Sequence, residues 1–164
     1  MSEDLLKLAK NIILKNLYLT LATAGRDNKP WATPLFYCYD DKFNFYWVSP
    51  KLSLHSQNIK SNPNVSVVVF DSQSPKYTGI GLYMTGEAFE LDNQTEIEKG
   101  LKLEFERLEE EIPNFEKYLG ENTYRVYKFV IKKLSITNDV KDEKGNTVDH
   151  RAEINLQDII ELHD

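Results

Sequence analysis

The chain has one cysteine, Cys38, so no internal disulfide can form. Set in a strand-like pattern, a lone cysteine reads as a small buried hydrophobe. No cationic neighbour in sequence marks it as an activated thiolate. Positive charge is also scarce: 20 Lys and Arg stand against 26 Asp and Glu, a net charge of -6. That balance argues against a nucleic-acid surface. No apolar run approaches the ~20 residues that a membrane span needs. Residues 1–16 lack a basic segment and a small-residue cleavage site, so no signal peptide is expected. The expectation is a cytoplasmic protein with no nucleic-acid and no membrane partner. The three histidines, His55, His150 and His163, have no His or Cys at ligand spacing, and no metal site is expected. Ser49, Ser53 and Ser56 lie near His55, but no strained strand-turn-helix elbow surrounds them, which argues against a hydrolase triad. Glu87 and Glu90 fall on opposite faces of a strand and make no acid–base pair. Thr78-Gly79-Ile80-Gly81 lacks the third glycine and the following helix of a dinucleotide fingerprint.

What is present is ordinary globular composition with plentiful Tyr and Phe, at a length that suits one domain. Leu5, Leu6, Leu8, Ala9, Ile12 and Ile13 recur at helical spacing behind a Ser2 cap. Strand patterns follow at residues 17–23, 31–39 and 43–48, separated by turn chemistry, and together they predict an antiparallel meander. Pro34 cannot donate to a ladder, so it marks either a plain edge strand or a gap that admits a flat ligand. Further strands are expected at 65–70, 80–91, 124–131 and 134–140. Gly79, Gly81 and Gly86 thin the 80–91 strand and suggest a bulge or a close approach. Residues 94–119 read as a helix broken at Pro113. Its apolar stripe is Ile97, Leu101, Phe105, Leu108 and Ile112, and Glu104, Glu106, Glu109, Glu110 and Glu111 form a solvated outer face. About six or seven antiparallel strands with about three helices predict a mainly β fold, a small barrel decorated by helices.

The stretch from Phe43 to Asp71 carries the clearest chemistry. An aromatic strand ends in a polar loop, a short helix opens at Ser53 and closes at Ser61-Asn62-Pro63, and another strand follows. Lys51, Ser53, His55 and Ser56 therefore surround one helix N-terminus, whose free N–H groups, beside a cation and hydroxyls, suit a phosphate. Taken singly, Ser53 is also a plain N-cap, Lys51 a solvated loop lysine and His55 a surface residue. Trp31, Phe36, Tyr37, Tyr46 and Trp47 flank this helix, either as barrel core or as the walls of a pocket for a planar heterocycle.

In order and spacing these passages resemble the pyridoxamine 5'-phosphate oxidase-like family, the FMN-binding split β-barrels. The resemblance rests on Leu19-Thr20-Leu21-Ala22-Thr23 with Pro30-Trp31-Ala32-Thr33-Pro34-Leu35-Phe36, on Phe45-Tyr46-Trp47-Val48-Ser49, on Ser53-Leu54-His55-Ser56-Gln57-Asn58-Ile59 with Asn62-Pro63-Asn64-Val65, and on Thr85-Gly86-Glu87-Ala88. It implies one split antiparallel barrel domain of Greek-key type over residues 1–164, and a homodimer with FMN sites at the subunit interface. It implies that Thr33, Pro34, Leu35 and Phe36 line the isoalloxazine, and that Trp47, Val48 and Ser49 lie along the flavin and its ribityl chain. Lys51, Ser53, His55 and Ser56 would hold the phosphate. A flavin-dependent oxidoreductase acting on a small molecule follows, with a non-catalytic flavin-binding module, a deazaflavin protein or a haem-utilisation relative as alternatives. For haem, His150 and His163 are the candidate ligands. The chain departs from the vitamin B6 oxidases at three places. Leu54-His55 stands where they carry Arg-Lys, Thr33 stands where they carry Arg, and their C-terminal Arg-x-His motif is missing. Vitamin B6 oxidation is therefore not expected.

Overall fold

The computed structural model describes residues 2–162. Helix α1 (Glu3–Lys15) packs Ala9, Ile12 and Ile13 inward. Ser2 stands at its N-cap position, although its side chain makes no capping bond. Strands β1 (Tyr18–Ala24), β2 (Pro30–Phe36), β3 (Cys38–Tyr39) and β4 (Phe45–Pro50) lead into helix α2 (Leu54–Ser61). Strands β5 (Asn64–Phe70) and β6 (Gly81–Glu90) come next, then helix α3 (Gln94–Leu108) and a 3-10 turn at Phe115–Tyr118. Strand β7 (Tyr124–Thr137), a two-stranded hairpin of β8 (Val140–Lys141) and β9 (Thr147–Val148), β10 (Arg151–Ile154) and helix α4 (Leu156–Ile160) complete the chain.

The sheet runs β2-β1-β5-β6-β7-β4-β3, all antiparallel, with β10 added to β7. The two ends of this path, β2 and β3, are separated in sequence only by Tyr37. The sheet therefore curls into a barrel that is open along one seam, which is the split-barrel expectation met in outline. The predicted meander is corrected at this seam. The expected 31–39 strand breaks at Tyr37, so its first part pairs with β1 and its last two residues pair with β4. Pro34 does lie on an edge strand, since β2 ends the path. Side chains hold the seam together. The Tyr37 hydroxyl donates to Ile13 O at 2.7 Å, and Arg107 donates to Tyr37 O at 3.0 Å and Asn16 O at 2.6 Å.

Three other expectations change. The strands expected at 124–131 and 134–140 merge into one strand of 14 residues that ends at Thr137, and Val140 begins β8 instead. The predicted break coincides with a register shift opposite Thr85 and Gly86, where β7 carries one extra residue. Gly86 is obligatory at that point, because a Cβ there would lie 2.0 Å from Val130 O. Helix α3 ends at Leu108 with Glu109 in the left-handed region, well before Pro113, so Ile112 lies outside the helix and is exposed. Among the described residues there are four helices and a 3-10 turn, where about three helices were expected.

The core has two parts. One fills the barrel and includes Leu19, Leu21, Phe45, Trp47, Val67, Met84 and Phe129. The indole of Trp47 stacks on Tyr127 with centroids 5.8 Å apart, a pair worth about 1 kcal/mol beyond its burial. The other lies beneath α3 and joins Cys38, Tyr46, Ile97, Leu101, Tyr118 and Val126. Alternation along β4 thus sends Phe45 and Trp47 to one core and Tyr46 and Val48 to the other. Gly100 lets α3 sit close on the sheet, since a Cβ there would meet Val126 Cγ1 at 2.7 Å.

Candidate functional site

Helix α2 closes one end of the barrel. Asn58 Nδ2 donates to Thr23 Oγ1 at 3.0 Å and Asn62 Nδ2 to Ala24 O at 3.2 Å, so the helix is tied to the end of β1. This fixes where its N-terminus points. Ser53 is the N-cap and accepts from the Ser56 N–H. The Ser53 hydroxyl also donates to Ser56 Oγ at 2.8 Å and lies 3.0 Å from His55 Nε2. With the Ser53 proton on Ser56, the His55 Nε2–H is the donor to Ser53. His55 and Ser56 are buried. Burial lowers the His55 pKa from its ordinary value, so the imidazole is neutral at pH 7. The first helical N–H groups, those of Leu54 and His55, have no intrahelical acceptor.

Two cations converge on the Gly120 carbonyl, in the loop before β7. Lys51 Nζ donates to Gly120 O at 3.2 Å and lies 3.7 Å from a carboxylate oxygen of the exposed Glu121. Arg125, only 5 % exposed, donates to the same Gly120 carbonyl, to Asn122 O at 2.8 Å and to Tyr124 O at 2.7 Å. Its Nε reaches Glu90 Oε1 at 3.0 Å, and the Tyr127 hydroxyl donates to Glu90 Oε2 at 3.4 Å. A groove of about 440 Å³ opens along this side, lined by Ser56, Ile59, Pro63, Glu90 and Tyr127 among others. Sequence reasoning missed Arg125. It reads as one polar residue in a strand, and only its register opposite Ser49 brings it to the site.

Hydrogen bonds thus bring Ser53, His55 and Ser56 together, while Lys51, two residues before the cap, turns its ammonium to Gly120 O and Glu121. The β2 residues Thr33, Pro34, Leu35 and Phe36 lie on the edge strand at the far end of the sheet path. Pro34 is exposed, Thr33 and Phe36 are half-buried and Leu35 is buried. Trp47 and Ser49 are buried, and Val48 packs toward α3. A second groove, of about 510 Å³, crosses the outer face of β1, β5 and β6 beside Ala22, Ser66, Thr85 and Lys133. Neither groove is lined by residues 33–36 or 47–49. Among the described residues, three buried side-chain polar atoms have no hydrogen-bond partner: Thr33 Oγ1, Trp47 Nε1 and Glu104 Oε2.

Glu104 is a correction. It was expected on a solvated face, yet it is buried beneath α3. The signal was available, because Glu104 falls three residues after Leu101 and seven after Ile97, on the same face. His150 is exposed, with Nδ1 3.3 Å from Asn138 O, while His163 lies outside the described residues. Among the described residues, no group of three or more His, Cys, Asp or Glu side chains could hold a metal ion. No described helix is long and apolar enough to cross a membrane.

An antiparallel barrel split along one seam, with a short helix opening at its end, defines the split-barrel class of fold. The chain belongs to the pyridoxamine 5'-phosphate oxidase family, whose model matches residues 5–137. Among curated proteins none matches. Solved structures share the fold at low identity. One is the protein Atu2129, of unknown function, from Agrobacterium tumefaciens, with a TM-score of 0.69 and 18 % identity over 82 % of this chain and 57 % of that one. Another is a haem-binding protein from Mycobacterium smegmatis, with a TM-score of 0.69 and 13 % identity over 98 % of this chain and 61 % of that one. A third is HutZ, the haem storage protein of Vibrio cholerae, with a TM-score of 0.64 and 16 % identity over 79 % of this chain and 89 % of that one. The chain therefore spans less than two thirds of the first two relatives.

Proposed function

We propose that this protein binds FMN and works as a flavin-dependent oxidoreductase on a small-molecule substrate, as a cytoplasmic homodimer whose flavin sites lie at the subunit interface. One observation carries the reading. Two of the three unpartnered buried polar atoms, Thr33 Oγ1 and Trp47 Nε1, belong to the two strands assigned to the flavin. Buried polar atoms are normally satisfied, so orphans on both strands favour a ligand that supplies partners. The phosphate cradle supports the same conclusion. Ser53, His55 and Ser56, with the free N–H groups at the start of α2, would hold the phosphate, and Lys51 would supply charge. His55 contributes a hydrogen bond and no charge at pH 7, because burial keeps it neutral. Thr33, Pro34, Leu35 and Phe36 would line the isoalloxazine, with Trp47, Val48 and Ser49 along the opposite strand. A second copy of the chain would cover the ring, since neither the 510 Å³ nor the 440 Å³ groove of one chain collects both strands. When bound, the flavin supplies hydride chemistry. The chain's own task is to bind it, orient it and exclude water.

The test is the visible spectrum of the purified protein before and after adding FMN and desalting. Bands near ~370 and ~450 nm that survive desalting are expected. If no flavin is retained at any protein concentration, the cradle does not hold FMN and the oxidoreductase reading fails.

A haem-binding reading is favoured by the two haem-associated relatives and by the exposed His150, whose Nδ1 lies 3.3 Å from a backbone carbonyl, the kind of contact that orients a ligating imidazole. It predicts a Soret band on haem addition that His150→Ala removes. A Soret titration unchanged by His150→Ala would discard that ligand.

A further inference from the structure

Strand β4 is paired on one side along its whole length but on the other only at its start. On the β7 side its partners run from Phe129 to Tyr124. On the other side β3 supplies only Cys38 and Tyr39, opposite Tyr46 and Phe45, and then stops. From Trp47 onward this second edge is open, and it is the edge that forms one lip of the barrel seam. The carbonyl of Val126, the residue opposite Val48, accepts from the Leu91 N–H on the far side of β7. In an antiparallel pair this turns the polar main-chain groups of Val126 and Val48 away from each other. The Val48 N–H therefore points into the open edge, where a strand ladder would have supplied an acceptor.

Glu104 stands there instead. It projects from α3, is 8 % exposed, and lies close enough to the Val48 N–H for that dipole to favour its charged form. Its second oxygen, Oε2, is buried and has no partner. The surroundings are apolar: Leu101, Val48, Val126, Phe105 and Leu119 form this part of the core. The titratable groups facing it are few. Cys38 of β3 and Tyr118 of the 3-10 turn are the neighbours whose own ionisation its charge opposes. Tyr46 of β4 is held by Asp40, Lys128 of β7 by Glu96, and Arg107, one turn along α3, donates to main-chain carbonyls across the seam. Among the described residues, none forms an ion pair with Glu104.

We propose that Glu104 is a positioning residue for the open edge of β4: as a neutral carboxylic acid it anchors Val48 within a dry contact between α3 and the seam, and loss of its proton to solvent loosens that contact. A carboxylate with one donor in an apolar cluster draws in water or moves away, whereas the neutral acid packs as a hydrophobe with one acceptor in use. Burial pushes the group up to about 7, outweighing the nearby Val48 N–H, so the change falls at neutral pH. The effect on cofactor binding rests on the flavin assignment of Val48, and the effect on the strand itself does not.

The experiment follows the Val48 amide in the ligand-free protein by 15N NMR between about pH 5.5 and 8.5, in the wild type and in Glu104→Gln, with FMN affinity measured by fluorescence in parallel. The wild-type Val48 resonance is expected to titrate near neutrality and the Gln variant to stay flat. FMN binding is expected to weaken about fivefold across the range in the wild type only. His55 is common to both proteins and cancels in the comparison. A Val48 amide that is flat in the wild type, or that titrates equally in both, overturns the proposal. An FMN affinity with the same pH profile in both proteins, beside a Val48 amide that titrates in the wild type only, upholds the proposal for the strand and removes Val48 from the flavin site. If FMN binds neither protein at any pH, the flavin reading fails, and the Val48 titration alone decides what Glu104 does. If Glu104→Gln does not fold, the wild-type titration still decides.

Discussion

Asp40 and Glu104 lie under the same helix, are almost equally hidden from water at 7 % and 8 % exposure, and end in opposite states. Asp40 receives donors on both oxygens. Oδ1 takes the Lys42 N–H at 3.0 Å and the Asn44 N–H at 2.9 Å, and Oδ2 takes the Tyr46 hydroxyl at 3.0 Å and Lys99 Nζ at 2.6 Å. Burial pushes its pKa up, but the bonds from Lys99, Asn44 and Tyr46 outweigh that and bring it down to about 2. Glu104 has burial, the nearby Val48 N–H and no ion pair among the described residues, and sits at about 7. Burial by itself does not decide ionisation. The number of donors that the fold delivers to each oxygen does. The Asp40 end of α3 is locked at all physiological pH values, whereas the Glu104 end is responsive.

The largest effect that would break this contrast comes from Asp40→Ala. It leaves Lys99, the Tyr46 hydroxyl and two turn N–H groups without their acceptor, and is expected to cost about 3 to 4 kcal/mol in urea denaturation at pH 7. Glu104→Leu sets two effects against each other. It takes the proposed acceptor from the Val48 N–H, which is expected to cost about 1 kcal/mol at pH 5, and it removes a buried carboxyl that is costly once ionised, so at pH 8 it is expected to stabilise the fold by about 1 to 2 kcal/mol. The sign follows from the raised pKa. Between the unfolded value of 4.5 and about 7, the native state holds a proton that the unfolded chain has released, so stability falls as pH rises through that window, by about 3 kcal/mol at most. Asp40 behaves inversely. Its contribution, about 2 kcal/mol, is present above 3.8 and is lost as pH falls toward about 2. Acid and alkaline arms of a single stability–pH curve, measured in wild type and Glu104→Leu, separate the two.

A smaller effect sharpens the comparison. Lys99→Met removes one donor from Asp40 and should move that carboxyl toward the Glu104 condition, at a cost of about 1 kcal/mol, with a 13C-detected titration showing a raised Asp40 midpoint. The smallest concerns His55, a buried group of the other charge type. Its lowered pKa means that the unfolded chain takes up a proton that the native state refuses, so stability is lost as pH falls below 6.5. His55→Asn should abolish that loss and, at pH 8, change FMN affinity by less than about threefold, because the neutral imidazole offers phosphate only a hydrogen bond.

Much of the architecture was legible because local rules and tertiary structure agreed. The Ser53 cap, the end of α2 at Asn62-Pro63 and the apolar alternation of β5 each depend on neighbours within a few residues. The seam was not legible. A break at Tyr37 leaves no turn residue in the sequence, since Tyr37 is an ordinary β former and is displaced only because Ile13 and Arg107 hold it from afar. The length of β7 was obscured by Lys132-Lys133, which read as a loop but form the outer side of a bulge. Of the candidate site, the phosphate cradle was contiguous and therefore visible. Arg125 and Glu104 reach their positions through strand register and helix phase, and a list of motifs does not contain either.

The long β7 strand has a consequence for synthesis. It lies between β6 and β4, so it is the ladder that joins the β3–β4 pair to the rest of the sheet. A chain emerging from the ribosome exposes Phe45, Tyr46 and Trp47 early, but their partners Phe129, Lys128 and Tyr127 follow about 80 residues later. At ordinary elongation rates the most aromatic strand of the protein waits for several seconds with one edge unsatisfied. The barrel therefore cannot close vectorially from its N-terminus. Its formation is timed by the arrival of one late strand, and any chain that stops before Tyr124 leaves the ribosome with its stickiest segment uncovered.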